Sequence, residues 1–247
     1  MRNIWTIAKR EYDYYFISPV AYIVAFGILL VLGIFFAINI LQFQTYITQD
    51  ISAYLNISQL ASIFPFLFVF SIPALTMRLI SDENRTGTME LLLTAPIRDW
   101  ELIVGKWLGG FLFLLTIITV SLIYPIILNK MVTPHIDYRL LASTYLGILL
   151  LTAASLALGV GISALFSNQI AAFFAIFFTL FVLYWMIGFP AGVVSTGGDI
   201  FNYLSMSGHF GDMNQGTINL SSVVYFLSLT ALGLFTGTTA VEVRRWR

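Results

Sequence analysis

Apolar stretches of about 20 residues recur six times along the chain, divided by shorter polar segments. That is the length a helix needs to cross the hydrocarbon of a bilayer. The stretches run over about 20–41, 59–80, 102–128, 141–166, 170–194 and 220–241. No Asp, Glu, Lys or Arg occurs between Asp13 and Asp50, Asp50 and Arg78, Lys106 and Lys130, Arg139 and Asp199, or Asp212 and Glu242. In lipid only helices or closed barrels satisfy the backbone, and uninterrupted apolar runs are unlike the alternating strands of a barrel. The pattern predicts an all-α integral membrane protein with six transmembrane helices.

The polar segments differ in character. Residues 1–18 carry Ile4, Ala8, Tyr12 and Tyr15 on one helical face, and Trp5, Tyr14 and Phe16 widen it. Arg2, Lys9, Arg10 and Asp13 are polar, and Glu11 follows Lys9-Arg10 directly. The pattern predicts an amphipathic helix lying in the membrane interface, ahead of a six-helix domain over residues 19–247. Ser18 and Pro19 read as N-cap and first residue of the first span. Met1-Arg2-Asn3-Ile4-Trp5 opens no compact apolar region with a small-residue cleavage site, so no signal peptide is expected. The fourth connection is only Ser167-Asn168-Gln169, a tight hairpin.

Segment 190–219 has no Lys or Arg, and its only charges are Asp199 and Asp212. Ile200, Phe201, Tyr203, Leu204 and Met206 form an apolar cluster that water disfavours. A re-entrant external segment that dips back into the membrane face is therefore expected between spans five and six.

Charge sets the orientation. The N-terminus, second and fourth connections and C-terminus, with the residues next to them, hold Arg2, Lys9, Arg10, Arg78, Arg85, Arg98, Lys106, Arg244, Arg245 and Arg247; the opposite side holds Lys130 and Arg139. Ten cations against two place both termini in the cytoplasm by the positive-inside rule. The chain has 59% hydrophobic and 10% charged residues, net charge zero and no cysteine. Nothing here favours nucleic acid, and disulfides and thiolate metal sites are excluded. No G-x-x-x-x-G-K-[ST] loop is present, so ATP is not bound in that way. No charge or histidine is expected inside any span, whereas ion-coupled transport usually places ionisable residues at mid-membrane. His135 and His209 read as polar residues of external loops, without a metal ligand set. Small residues in span four (Gly147, Ala153, Ala154, Ser155, Ala157, Gly159, Gly161, Ser163) recur at four-residue spacing and suit close helix packing, within the chain before between subunits.

The second connection is the most polar. It reads Ser81-Asp82-Glu83-Asn84-Arg85-Thr86-Gly87-Thr88-Met89-Glu90-Leu91-Leu92-Leu93-Thr94-Ala95-Pro96-Ile97. Gly87 permits a turn, Thr88 suits an N-cap and Glu90 suits the first helical turn. Met89, Leu92 and Leu93 give a short apolar face, and Pro96 ends the element. Such a helix either rests in the interface or docks in a groove of a soluble partner. Glu83, then Gly87-Thr88-Met89-Glu90-Leu91-Leu92 and Ala95-Pro96, resemble the coupling-helix signature of the ABC-2 family of ABC transporter permeases. Lys9-Arg10-Glu11 before Pro19 is similar to that family's connecting helix. Tyr203-Leu204-Ser205, His209-Phe210, Gly216-Thr217-Ile218, Tyr225-Phe226-Leu227 and Arg244-Arg245-Trp246-Arg247 resemble the gliding-motility-type permease subgroup. Ser221-Ser222 stands where that subgroup often has an acid.

The resemblance implies a transmembrane permease subunit in a bacterial-type cytoplasmic membrane, exporting more often than importing. It implies separate ABC ATPase subunits that bind ATP and Mg, with no cofactor in this chain, and a second copy or related permease. An auxiliary membrane protein fits the subgroup. The hairpin Ser167-Asn168-Gln169 joins residues 83–96 as a contact for the ATPase. Other classes remain: an anchoring or assembly component of motility or envelope machinery, a channel, or a secondary transporter.

Single cysteines test the topology against a clean background, since the chain has none of its own. In intact cells an impermeant maleimide is expected to label Ser195→Cys and Thr217→Cys but not Thr86→Cys or Trp246→Cys. Labelling at position 86 from outside would invert the assignment.

Overall fold

The computed structural model describes residues 2–45, 57–81, 98–131, 136–192 and 198–245, and no strand occurs among them. An N-terminal helix, Arg2–Tyr15, precedes six apolar helical spans: Pro19–Leu41, Ile57–Thr76, Asp99–Met131, Tyr138–Leu165, Gln169–Met186 and Leu220–Val243. Two short helices, Gly198–Leu204 and Met206–Asn214, lie between spans five and six.

Span four is the centre of the bundle, and 72% of its most apolar window is buried. Its small residues explain why. A Cβ at Gly161 would collide with the Gly233 carbonyl and the Thr236 hydroxyl of span six, and one at Gly233 would strike the Ala157 backbone. On another face, a Cβ at Gly159 would lie 2.7 Å from Thr76 Oγ1 of span two. Rows of small residues let the backbones meet, as lipid-embedded helices require. The four-residue rows are thus occupied by packing inside the chain.

Three spans are less regular than their apolar runs predict. Span two starts at Ile57, ahead of the expected Gln59, and breaks between Ala61 and Phe64. Span three breaks at Leu122, between helices Asp99–Ser121 and Ile123–Met131. Pro125 accounts for this break, because it has no N–H to donate to the carbonyl four residues back, at Ser121. Span five ends in a π turn, Val182–Met186, closed by Ile187 N–H donating to the Val182 carbonyl at 2.9 Å. Hydropathy registers none of these interruptions because the residues on both sides are equally apolar.

The segment between spans five and six packs into the bundle. Met206, His209, Phe210 and Met213 are buried. Met213 and Phe210 lie against Gly147. Met206 lines a small void with Leu151 and Ser155, near the middle of span four. The helix Met206–Asn214 therefore packs along span four, but of the expected apolar cluster only Met206 is buried; Ile200, Phe201, Tyr203 and Leu204 are exposed. Asn214 Nδ2 donates to the Ser58 carbonyl at 2.9 Å and Ser58 Oγ to the Asn214 carbonyl at 2.6 Å, which ties it to span two. The expectation that His209 is a polar loop residue is corrected. The ring is 5% exposed, with Nδ1 3.0 Å from Ser222 Oγ, Nε2 2.8 Å from the Tyr203 carbonyl and its face on Tyr225 at 4.2 Å. His135 lies outside the described residues.

The glycine contacts give a paired prediction. Gly161→Ala must push spans four and six apart and is expected to cost about 1–3 kcal/mol, by analogy with overpacked cores. Gly27→Ala meets nothing within 4 Å and should be neutral or stabilising, since alanine favours a helix. Thermal unfolding in detergent, followed by tryptophan fluorescence, should show a clear drop for the first variant only.

Candidate functional site at the start of span three

Glu83, Gly87, Thr88, Met89, Glu90, Leu92, Leu93 and Pro96 lie outside the described residues. What the structure describes is how the chain is held on either side of them. Before the segment, Ser81 is fully buried at the end of span two. Its N–H donates to Ser163 Oγ of span four at 3.4 Å, and its hydroxyl donates to the Met77 carbonyl. After the segment, Arg98 is extended and span three begins at Asp99. Arg98 N–H donates to Glu101 Oε2 at 3.1 Å, closing half of a capping box, and Asn3 Nδ2 donates to the same oxygen at 3.1 Å. Asp99 and Glu101 also place negative charge at the positive end of the helix. One carboxylate thus caps span three and fixes the N-terminal helix to it.

The N-terminal helix lies along span three. Gly105 and Gly109 permit the approach: a Cβ at Gly105 would lie 2.8 Å from Ile7 Cβ, and one at Gly109 would lie 2.7 Å from Glu11 Cβ and 2.9 Å from the Ala8 carbonyl. The inward face comprises Ile4, Ile7, Ala8, Glu11 and Tyr15, which corrects the sequence-derived face by adding Ile7 and Glu11. Tyr12 is half-buried and its hydroxyl is 3.2 Å from Thr116 Oγ1. Lys9 and Arg10 are exposed, and so is Trp5 at 59%. An indole there suits the headgroup region.

Glu11 and Lys106 form an ion pair inside this contact. Lys106 Nζ lies 3.0 Å from Glu11 Oε1, and Lys106 is 2% exposed. Arg10 Nη2 reaches the same oxygen at 3.2 Å from the exposed side, where an ion pair adds little. A buried cation and carboxylate tolerate burial only together, so the pair fixes the register of the helix on span three. Tyr15 stacks on Phe113 with centroids 4.9 Å apart, and burial, then the nearby Glu11 charge, push its phenol up. The expectation that no span contains a charge is corrected, since Lys106 is buried inside span three, and the sequence reading assigns Glu11 no inward role. The available signal was Glu11 itself, three residues after Ala8 and four before Tyr15, hence a carboxylate on the apolar stripe.

The hairpin lies at the same end, because Ser163, just before it, contacts Ser81. Asn168 Oδ1 accepts from the N–H groups of Ile170 at 2.9 Å and Ala171 at 3.4 Å, which caps span five. Ser167 and Asn168 are exposed and Gln169 is half-buried, so the hairpin offers a small polar surface. Span six closes this end, since a Cβ at Gly237 would lie 3.2 Å from Ile103 Cγ2 and 3.3 Å from Gly161 Cα. The described parts hold two anchored points on either side of residues 82–97, at Ser81 and at Arg98, and an ion-paired helix on the span that follows.

Comparison with curated proteins gives no match. The model of a family described as ABC-2 family transporter protein matches residues 5–241, from Trp5 of the N-terminal helix to Val241 of span six. That match takes in all six spans, the connection at 82–97 and the helix pair before span six, and by it this multi-pass membrane protein belongs to the ABC-2 family of transporters.

Proposed function

We propose that the chain is the permease subunit of an ABC exporter in a bacterial-type cytoplasmic membrane, with both termini in the cytoplasm. Separate ATPase subunits supply the energy by binding ATP and Mg. The permease works as a pair, with a second copy or a related chain. Family membership supports the class, and the ten-to-two distribution of cations supports the orientation.

The observation that carries the mechanism is the anchoring on either side of residues 82–97. Ser81 is tied to span four through Ser163, while Arg98, Glu101 and Asn3 tie the start of span three to the N-terminal helix. A helix around 87–96 that docks through Met89, Leu92 and Leu93 would therefore push on two different bodies. One is span two with span four; the other is span three with the N-terminal helix, locked by Lys106 and Glu11. Closure of the ATPases would change the angle between them. Transport then depends on differential contacts in two packing states. The hairpin Ser167-Asn168-Gln169, at the same end, offers the ATPase a second contact.

Two sets of variants test this mechanism. Gly87→Val and Leu92→Asp should insert normally in the membrane but lose ATPase association or transport-coupled ATP hydrolysis. The first costs on the order of 1 kcal/mol or more if the turn needs positive φ, and the second puts an unpaired charge at an apolar contact. Normal assembly together with normal transport in both would refute the coupling role.

The second set concerns the ion pair. Glu11→Gln removes the carboxylate 3.0 Å from the buried Lys106 and should destabilise by up to about 3–5 kcal/mol, the cost of breaking a buried pair. The double variant Glu11→Gln with Lys106→Met should recover much of that stability in detergent melting. If the single variant melts like the wild type, the pair does not lock the helix.

A further inference from the structure

A partly open cavity of about 620 Å³ lies where the N-terminal helix turns into span one, bounded by the end of span two and by Lys106 of span three. It occupies a particular depth. Span one begins at Pro19 and the regular helix of span two ends at Thr76, so Val20, Leu75 and Leu79 on its wall belong to the last apolar turns. Arg10, Asp13 and Arg78 line it from the exposed side. One side is therefore hydrocarbon-like and the other has the charge of a headgroup layer.

Among the described residues that line it the charges do not cancel. There three cations, Arg10, Lys106 and Arg78, face two carboxylates, Glu11 and Asp13. Glu11 is taken up by Lys106 at 3.0 Å and Arg10 at 3.2 Å. Among the described residues no carboxylate comes within 4.0 Å of Arg78. Among the described residues one positive charge is left over, at the mouth of an apolar pocket. A phosphodiester carries one negative charge and is recognised well by the planar guanidinium of arginine. A free phosphate ion would use the cations but leave the walls formed by Val20, Leu75 and Leu79 unmatched. A neutral lipid would use the walls and leave the charge.

We propose that this cavity holds one anionic phospholipid, its phosphate between Arg10 and Arg78 and the start of its acyl chain against Val20 and Leu75. The lipid fills the angle between the N-terminal helix and spans one and two. It thereby braces the helix that Glu11 and Lys106 attach to span three. Cationic residues at headgroup depth are the usual protein contribution to such recognition.

Native mass spectrometry of the full chain in detergent tests this, with phosphatidylglycerol, phosphatidylcholine and inorganic phosphate as probes. The wild type should retain one phosphatidylglycerol roughly tenfold more strongly than phosphatidylcholine, as two arginines near a phosphate allow. Arg10→Gln with Arg78→Gln, both exposed positions, of which Arg10 touches Glu11 only from the exposed side at 3.2 Å, should lower phosphatidylglycerol retention to the phosphatidylcholine level. Arg78→Lys should keep most of the preference. Each variant's melting temperature without lipid should match the wild type, which separates lost binding from lost fold. The proposal is overturned by equal retention of the two lipids in the wild type, or by an unchanged preference in the double variant. It is also overturned if inorganic phosphate raises the melting temperature as much as phosphatidylglycerol does.

Discussion

An apolar helix gains little hydrophobic free energy by leaving lipid for another helix, so association in the membrane rests on close packing and on a few polar contacts. In this chain the closest packing is around span four. Gly161 and Ala157 meet Gly233 backbone to backbone, and Gly159 receives Thr76. Spans six and two are thereby brought against span four. Span three follows through the Trp107 indole, which donates to the Ala153 carbonyl at 3.0 Å, and through Ile103 near Gly161 and Gly237. Even the helix Met206–Asn214 has its place because Gly147 leaves room for Met213. A side chain at any of these glycines must displace a neighbour on a different element.

Away from that centre the bundle is held by polar contacts at its two ends. At one end Glu11, Lys106, Asn3 and Glu101 join the N-terminal helix to span three. At the other, Asn214 and Ser58 exchange hydrogen bonds, and His209 sits between Ser222 and the Tyr203 carbonyl. The middle is almost wholly apolar, with hydroxyls such as Thr76 and Thr152 returned to their own helix carbonyls. The polar ties therefore lie where water or headgroups are near, and glycine contacts hold the depth between.

The number of spans, their approximate limits and the inward packing of span four were legible in the sequence, because each follows from one-dimensional facts: run length, absence of charge and four-residue spacing of small side chains. The packing of the segment before span six was legible only in part, since of its apolar cluster Met206 is buried while Ile200, Phe201, Tyr203 and Leu204 are exposed. Its helicity was not legible, because Gly198, Gly208 and Gly211 argue locally for turns. The ion pair was missed for a related reason. Glu11 and Lys106 are 95 positions apart, and each taken alone looks like a flanking charge. His209 looked like a loop residue because its partners Tyr203 and Ser222 converge only in three dimensions. The candidate coupling residues at 83–96 were legible as an amphipathic pattern plus a family resemblance; the ties that give them purchase, Ser81 to Ser163 and Glu101 to Asn3, were not.

The distribution of rigid and interrupted elements bears on how such a protein moves. Span four is a continuous helix of 28 residues, and spans six and two are packed tightly on it. Spans two, three and five are interrupted in the halves away from the hairpin, between Ala61 and Phe64, at Pro125 and at the π turn Val182–Met186. These interruptions remove or displace backbone hydrogen bonds, so bending there disturbs less of the ladder than bending elsewhere. They also lie far from the end that carries Glu11, Lys106 and the hairpin. A push delivered at that end would travel along regular helix through the close contacts at Gly105 and Gly109. It would be taken up as a change of angle beyond Ser121 and Phe181, next to the helix Met206–Asn214 at the opposite end.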